Sequence, residues 1–156
     1  MFVLNKQHVA DSPEVYNELR KLLQAYTEES SHCRTYNQRN TDDWLAHIIY
    51  SNDCEIFMVE NPELMNYGGF SIVAVSSDFF NEKFGHVLYF YVHPDFRGTE
   101  VGRMLVKASC DWLDARKAYP QFCTDSAGVQ EDKLFRNLMA KYDFKCTGHV
   151  LQRGIP

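Results

Sequence analysis

The sequence lacks both a long apolar run and an excess of positive charge. No stretch approaches the ~20 consecutive apolar residues of a membrane-spanning helix, and the N-terminus reaches polar residues too early for a signal peptide. The formal net charge of -5 argues against nucleic acid as the main partner. We therefore expect a cytoplasmic protein whose partner is neither a membrane nor a nucleic acid.

Cysteine spacing typical of a cross-linked or metal-bound protein is also missing. The five cysteines form an odd set without CxxC spacing, at Cys33, Cys54, Cys110, Cys123 and Cys146. Neither a disulfide framework nor a zinc site is indicated. We predict reduced, mostly buried thiols and no bound metal.

Two common phosphate-binding motifs are absent as well. Neither GxxxxGK followed by Ser or Thr nor GxGxxG occurs anywhere in the chain. The chain is therefore not expected to be a P-loop nucleotidase or a Rossmann dinucleotide enzyme.

The composition that is present fits one domain with a sizeable core, since 45% of the 156 residues are hydrophobic and 14% are aromatic. Helical spacing of apolar residues predicts a first helix with Ser12 as its N-cap and Pro13 at its first position. The same pattern predicts a second helix with Thr41 as its N-cap.

Residues after 54 have the pattern of strands. Apolar runs at 55–60, 70–75 and 86–92, with a predicted turn at 66–69, suggest an antiparallel meander. The third strand is apolar on both faces, which is typical of a central strand. A helix over 104–118, a strand over 121–125, a helix over 130–144 and a strand over 145–152 complete the predicted order.

The stretch "YVHPDFRGTEVGRML" joins the third strand to the helix that follows it. The first turn of a helix has unpaired N–H groups and the positive end of the dipole, which together bind phosphate oxygens. Gly98 and Gly102 remove Cβ atoms that would keep a ligand from the backbone, and Arg97 and Arg103 add charge-assisted contacts. A pyrophosphate fits this pattern; the alternative is that the two glycines only cap a helix.

This stretch resembles motif A of the GNAT N-acetyltransferase superfamily, in which a strand leads into Arg/Gln-x-x-Gly-x-Gly/Ala and a long helix. The motif positions here run from Arg97 to Gly102, and the order of helices and strands is similar along essentially the whole chain. The ending "KYDFKCTG" also looks like the family's. The resemblance implies one GNAT-like α/β (α+β) domain over 1–156, with a mixed, mostly antiparallel sheet flanked by helices.

The resemblance also implies acetyl-CoA as the co-substrate. Its pyrophosphate would bind the amides of Arg97, Gly98, Thr99, Glu100, Val101, Gly102 and Arg103. Its pantetheine arm would pair with the backbone of Phe90, Tyr91 and Val92. In the family an amine attacks the thioester, a base takes its proton and a tyrosine commonly protonates the departing thiolate.

Glu100 departs from the family pattern, because it replaces a glycine inside the phosphate loop. At ~6 Å and an effective dielectric of about 20 to 80, each contact between like charges costs on the order of 1 to 3 kcal/mol. A Glu100 side chain that points to solvent, or that pairs with Arg97 or Arg103, would remove most of this cost.

The position of the family's catalytic base is also changed. Many members have a glutamate where this chain has His86. A histidine can accept a proton near neutral pH, so His86 is the candidate base. The alternative is that His86 is a strand-end histidine without a catalytic role, with Tyr89 and Glu82 as lower-ranked candidates.

The family's tyrosine acid is the third departure. Its position is occupied by Met139, which cannot donate a proton, and Asp143 replaces the glycine that precedes the family's phenylalanine. Tyr142 is the nearest candidate acid, although some family members manage without a dedicated one.

Two functions from different classes remain. The first is an N-acetyltransferase that moves the acetyl group of acetyl-CoA to an amine on a small molecule, a protein N-terminus or a lysine. The second is a catalytically lapsed protein that serves as a CoA-binding, structural or assembly module. The retained Arg97, Gly98, Gly102 and Arg103 favour the enzyme. Dimers are common in the superfamily. If this protein forms a homodimer, the edge formed by the last strands is the expected interface.

Overall fold

The computed structural model of the protein describes residues 1–30, 35–123 and 132–145. The helices within these ranges are α1 (Lys6–Asp11), α2 (Pro13–Glu29), α3 (Gln38–Tyr50), α4 (Glu100–Ala115) and α5 (Asp132–Ala140). The strands are β1 (Phe2–Asn5), β2 (Cys54–Asn61), β3 (Asn66–Ser77), β4 (Lys83–Val92) and β5 (Gln121–Cys123). A short 3-10 turn, Pro94–Phe96, lies between β4 and α4.

The strands form one sheet in the order β1-β2-β3-β4-β5. Strands β1 to β4 pair antiparallel with one another, whereas β4 and β5 pair parallel. The predicted mixed, mostly antiparallel sheet is therefore confirmed. The central position expected for the third strand of the meander, β4, is confirmed as well.

Two hydrophobic cores lie on opposite faces of this sheet. Apolar residues of α1, α2 and α3 pack on one face, with Val9, Leu19, Leu45, Ile56 and Phe70 among the buried residues. The other face is covered by α4, with Val73, Val87, Val101, Leu105 and Leu113 at its centre. The helices thus flank the sheet, as predicted.

The predicted start of the first long helix is confirmed, but that of the next helix is wrong. Ser12 caps α2 by accepting a hydrogen bond from the amide of Val15 at 3.3 Å. In α3 the cap is Asn37, whose side chain accepts from the amide of Asn40 at 3.0 Å. Thr41 lies inside the helix and donates to the carbonyl of Asn37. An amide side chain four residues earlier therefore sets the start of α3.

The turn predicted at 66–69 is also wrong, because these residues belong to β3. The turn lies at 62–65 and ends at Met65, whose φ is 49°. Gly69 is needed for packing within the sheet, since a Cβ there would lie 2.3 Å from the carbonyl oxygen of Tyr91. The glycine therefore permits the close approach of β3 and β4.

Two short N-terminal elements were not predicted. The strand β1 pairs with β2, and Asn5 then caps α1 by accepting from the amides of Gln7 and His8. Six residues of helix are too few for a helical repeat of apolar positions to be recognised.

The C-terminal predictions are confirmed only in part. The helix predicted over 104–118 begins earlier, at Glu100, and the helix predicted over 130–144 is described as Asp132–Ala140. In that last helix Met139 is buried, whereas Leu134 is 57% exposed. The end of the strand predicted at 121–125 lies outside the described residues, as does all of the strand predicted at 145–152 except its first residue.

The described cysteines Cys54, Cys110 and Cys123 are free thiols, and they are half-buried rather than mostly buried. Burial raises the pKa of the Cys110 thiol to about 11. Cys33 and Cys146 lie outside the described residues. None of the helices in the described ranges combines the length and apolar character required to cross a membrane.

Candidate active site

The centre of the candidate site is the junction where β4 ends and α4 begins. The amide of His93 donates to the carbonyl of Gly68 at 2.9 Å, which holds the chain against β3 as it leaves β4. Thr99 then caps α4, since its hydroxyl accepts from the amide of Val101 at 3.4 Å and donates to the carbonyl of Phe96 at 2.6 Å. The amide end of α4 therefore follows β4 after one tight turn.

The two glycines of the junction have different roles. Gly98 has a φ of 80°, a conformation that side-chain-bearing residues rarely adopt, and a Cβ there would meet nothing within 4 Å. A Cβ on Gly102 would lie 3.0 Å from a methyl group of Leu138 and 3.7 Å from one of Val92. Gly98 thus leaves open space at the turn, whereas the space beside Gly102 is filled by α5.

The two arginines of the junction also differ. Arg97 donates from Nε to the carbonyl of Val92 at 3.0 Å and from Nη2 to the carboxylate of Glu29 at 2.5 Å. Arg103 pairs with Glu100 on the outer side of α4. This pair is one of the arrangements expected to offset the negative charge of Glu100, and it raises the pKa of Arg103.

Strand β4 is irregular beside this junction. Its pairing with β3 shifts register at Ile72/Val73, where β4 contains the extra residue Leu88. Pairing of β4 with the described part of β5 runs from Gly85 to Val87. A bulge of this kind bends the strand and re-aims the residues that follow it. The segment 88–92 lies beyond the described pairing with β5 and leads to the amide end of α4.

Residues 90–92, which were expected to contact pantetheine, lie in this segment. Phe90 and Val92 pack towards α4, and the ring of Phe90 lies 5.2 Å from that of Phe135 on α5. Tyr91 points to the opposite face, into the core formed with α2 and α3.

A sequence family model matches residues 16–138, and its description is "Acetyltransferase (GNAT) family". The matched region includes β4, the junction and α4. The chain belongs to this GNAT family. No curated protein sequence matches the chain.

Several acetyltransferases of known structure have a similar fold. Glucosamine-6-phosphate N-acetyltransferase from Arabidopsis thaliana is similar with a TM-score of 0.72, 17% identity and 100% of both chains covered. AAC(6')-Iy in complex with the bisubstrate analogue CoA-S-monomethyl-acetylneamine has a TM-score of 0.72 and 14% identity, with 100% of this chain and 99% of that chain covered.

A third structure is the ribosomal-protein-alanine N-acetyltransferase from Brucella melitensis biovar Abortus 2308. It has a TM-score of 0.67 and 16% identity, and covers 99% of this chain and 100% of its own. At these identities the likeness shows the GNAT fold.

His86, the candidate GNAT base, lies before the bulge and beside β5. Its ring contacts those of Phe84 and Phe122, with centroids 5.6 and 5.4 Å away. Tyr89 follows the bulge and packs edge-on against Trp44, with ring centroids 5.3 Å apart. Glu82 lies in the exposed turn before β4, where its amide donates to Asp78. The three candidate bases thus occupy different positions along β4 and its preceding turn.

Tyr142, the candidate GNAT acid, follows the end of α5. Its hydroxyl donates to the carbonyl of Arg103 in α4 at 3.1 Å. His86 contacts β5 instead, so the described contacts do not bring the two candidate catalytic side chains together. Asp143, at the family's glycine position, has a φ of 64°, so the left-handed conformation is present without the glycine.

One contact of the site was not predicted. Glu29, the last residue of α2, binds both Arg97 and the hydroxyl of Tyr91. Burial, followed by the charge of Glu29, raises the pKa of Tyr91 to about 12. Glu29 lies 68 residues before Arg97, and no motif in the sequence connects the two.

An open pocket of about 470 Å³ lies elsewhere, beside α2 and the start of α3. Its lining includes Glu14, Lys21 and Tyr36, and none of the predicted site residues.

Proposed function

We propose that the protein is an N-acetyltransferase that transfers the acetyl group of acetyl-CoA to an amine. The observation that supports this best is the junction itself, where the capped amide end of α4 follows the bulged segment of β4. Membership of the GNAT family supports the same reaction class.

In this proposal the pyrophosphate of acetyl-CoA binds the backbone amides between Arg97 and Arg103. The open space at Gly98 fits this use, because a ligand can approach the backbone there without meeting a side chain. The dipole of α4 favours an anion at the same point. Arg103 partly neutralises Glu100, which lowers the repulsion between that carboxylate and the phosphates.

The pantetheine arm then follows the backbone of Phe90, Tyr91 and Val92. The bulge at Leu88 re-aims this segment, and its described pairing with β5 ends at Val87, so we expect its outer backbone groups to form hydrogen bonds with the ligand. The acetyl group would lie near the bulge, and the acceptor amine would approach from beside it.

The proposed chemistry is direct attack of the amine nitrogen on the thioester carbonyl carbon. The C–N bond forms, a backbone amide supports the oxyanion, and the C–S bond breaks to release the CoA thiolate. A base removes one proton from the amine, and His86 is our candidate. Tyr142 would have to leave the carbonyl of Arg103 before it donated a proton to the thiolate.

The lack of a positioned proton donor at residues 139 and 142 favours a second candidate function. Met139 has no proton to donate, and the hydroxyl of Tyr142 already donates to the backbone carbonyl of Arg103, so neither is poised to protonate the thiolate. A catalytically lapsed protein that serves as a CoA-binding, structural or assembly module would have the same arrangement.

Titration calorimetry with acetyl-CoA at moderate salt, with desulfo-CoA and dephospho-CoA as comparison ligands, tests both functions. We expect micromolar binding, followed by release of thiol when a panel of amines is added. Binding without thiol release would favour the module. No binding at millimolar acetyl-CoA would contradict the enzyme and favour a structural or assembly module that does not bind CoA.

The proposal also covers the setting of the protein. We infer a cytoplasmic enzyme with one domain over residues 1–156. Light scattering at several protein concentrations tests whether it forms a homodimer. The acceptor is an amine of a small molecule, a protein N-terminus or a lysine, which the amine panel distinguishes.

A further inference from the structure

The carboxylate of Glu29 joins three parts of the molecule at the junction. One oxygen accepts from Nη2 of Arg97 at 2.5 Å, and the other accepts from the hydroxyl of Tyr91 at 3.3 Å. Glu29 is the last residue of α2, Tyr91 is near the end of β4, and Arg97 is in the turn that leads to α4. Both oxygens of a single side chain are therefore used to connect separate elements.

We propose that Glu29 is a positioning residue for the pyrophosphate site, which it holds in place through Arg97. The inference rests on the proposed function, because it requires that the junction binds the pyrophosphate of CoA. Glu29 itself would touch no ligand.

The side chain of Arg97 supports this role by the direction in which it lies. Its Nε donates to the carbonyl of Val92, five residues earlier, so the guanidinium folds back beneath the turn. It also lies 5.9 Å from the centre of the Tyr91 ring, within reach of a cation–π contact. The guanidinium is therefore directed towards α2, and the backbone of the turn is left for the ligand.

The burial of the pair makes it more than a surface contact. The side chains of Arg97 and Glu29 are 21% and 28% exposed, so solvent screens their attraction less than at an exposed pair. Gly98 follows Arg97 directly and has the greatest backbone freedom in the turn. An anchor at Arg97 reduces the conformational freedom that the turn would lose on binding a ligand, which strengthens binding.

The test compares two ligands that differ in the pyrophosphate. CoA binding is measured by calorimetry, and binding of pantetheine, which lacks the pyrophosphate, by NMR titration. We expect Glu29→Ala to weaken CoA binding about tenfold and to leave pantetheine binding unchanged. Glu29→Gln, which retains a hydrogen-bond acceptor without the charge, should give a smaller loss.

A double-mutant cycle shows whether Glu29 acts through Arg97. If it does, the Glu29→Ala/Arg97→Ala protein binds CoA no more weakly than Arg97→Ala alone. The matched control is Glu18→Ala, which removes a carboxylate from the same helix; its partner among the described residues is Lys21, three positions away. We expect the control to bind CoA like the wild type.

Several outcomes would overturn the inference. Tighter CoA binding in Glu29→Ala would mean that Glu29 holds Arg97 away from the phosphates. An equal loss for CoA and pantetheine would mean a general structural role. If the wild type binds no CoA, the proposed function fails first and this inference with it.

A second variant covers the case in which Glu29→Ala does not fold. Tyr91→Phe removes only the hydroxyl bonded to Glu29, and we expect it to weaken CoA binding about twofold. Unchanged CoA binding in both Tyr91→Phe and Glu29→Gln would contradict the positioning role.

Discussion

The inner and outer sides of the β4–α4 junction each contain an arginine paired with a glutamate, and the two pairs are built differently. On the inner side Arg97 meets Glu29 across 68 residues of chain, with side chains 21% and 28% exposed. On the outer side Arg103 meets Glu100 three residues away, with side chains 58% and 54% exposed. The inner pair connects elements, whereas the outer pair mainly offsets a local charge.

The largest difference should appear in stability when each arginine is removed. Arg97→Ala leaves a partly buried carboxylate without its cation, so we expect a loss of about 1 to 3 kcal/mol in the free energy of unfolding. Arg103→Ala breaks an exposed pair and should leave that free energy unchanged. Urea unfolding of both variants measures the difference. Equal losses would mean that the two pairs are energetically alike.

Substitution of the two glycines should give the next largest effect. Gly98→Ala forces a side-chain-bearing residue to a φ of 80°, at a cost of about 1 kcal/mol. Gly98→Asn should cost less, because asparagine tolerates this conformation. In Gly102→Ala the gain in helix propensity opposes the contact with Leu138, so the net change should be close to zero. Thermal unfolding that ranks Gly102→Ala as the more damaging change would contradict this account.

A smaller effect is expected from the charge of Glu100. Glu100→Gln removes a negative charge beside the phosphates and should therefore tighten CoA binding at low salt. The gain should be only about threefold, because the carboxylate is already paired with Arg103, and it should shrink as salt is added. Asp111→Asn is the control, since it makes the same charge change on α4 in an exposed pair with Lys107. If both variants bind CoA like the wild type, Glu100 is not beside the phosphate site.

The smallest effect concerns pH and the hydroxyl of Tyr91. Its pKa is raised from 10 to about 12, so its protonated form is favoured in the folded state. The stability that it contributes should be complete below pH 10 and should disappear as pH rises towards 12. The difference in unfolding free energy between wild type and Tyr91→Phe should therefore be constant from pH 7 to 10 and shrink above it. A decrease already at pH 8 would contradict the raised pKa.

The elements with strong local signals were predictable from sequence. Ser12 followed by Pro13 marks the start of α2, and the apolar runs of the meander mark β2, β3 and β4. Predictions from local signals were wrong where a tertiary contact or a competing N-cap determines the bounds of an element. Asn37 precedes Thr41 as the cap of α3, and Gly69 is in a strand because β4 approaches it closely.

The contacts of the candidate site also fall into two groups, those between neighbours in sequence and those that depend on tertiary packing. Pairing of Glu100 with Arg103 was among the expected arrangements, and the start of α4 at Glu100 makes the two residues neighbours on one helix. The contact of Glu29 with Arg97 depends on how α2 packs against the sheet, which no local pattern contains. The positions of Leu138 beside Gly102 and of the Tyr142 hydroxyl on Arg103 depend on the packing of α5.

The extra residue in β4, Leu88, reverses which residues face α4 along the strand. Before Leu88 the odd-numbered residues Gly85 and Val87 face α4, whereas after it the even-numbered residues Phe90 and Val92 do so. Any single insertion or deletion between Val87 and Phe90 would exchange the two faces for half of the strand. The segment beside the proposed CoA site should therefore tolerate a substitution far more readily than a change in length.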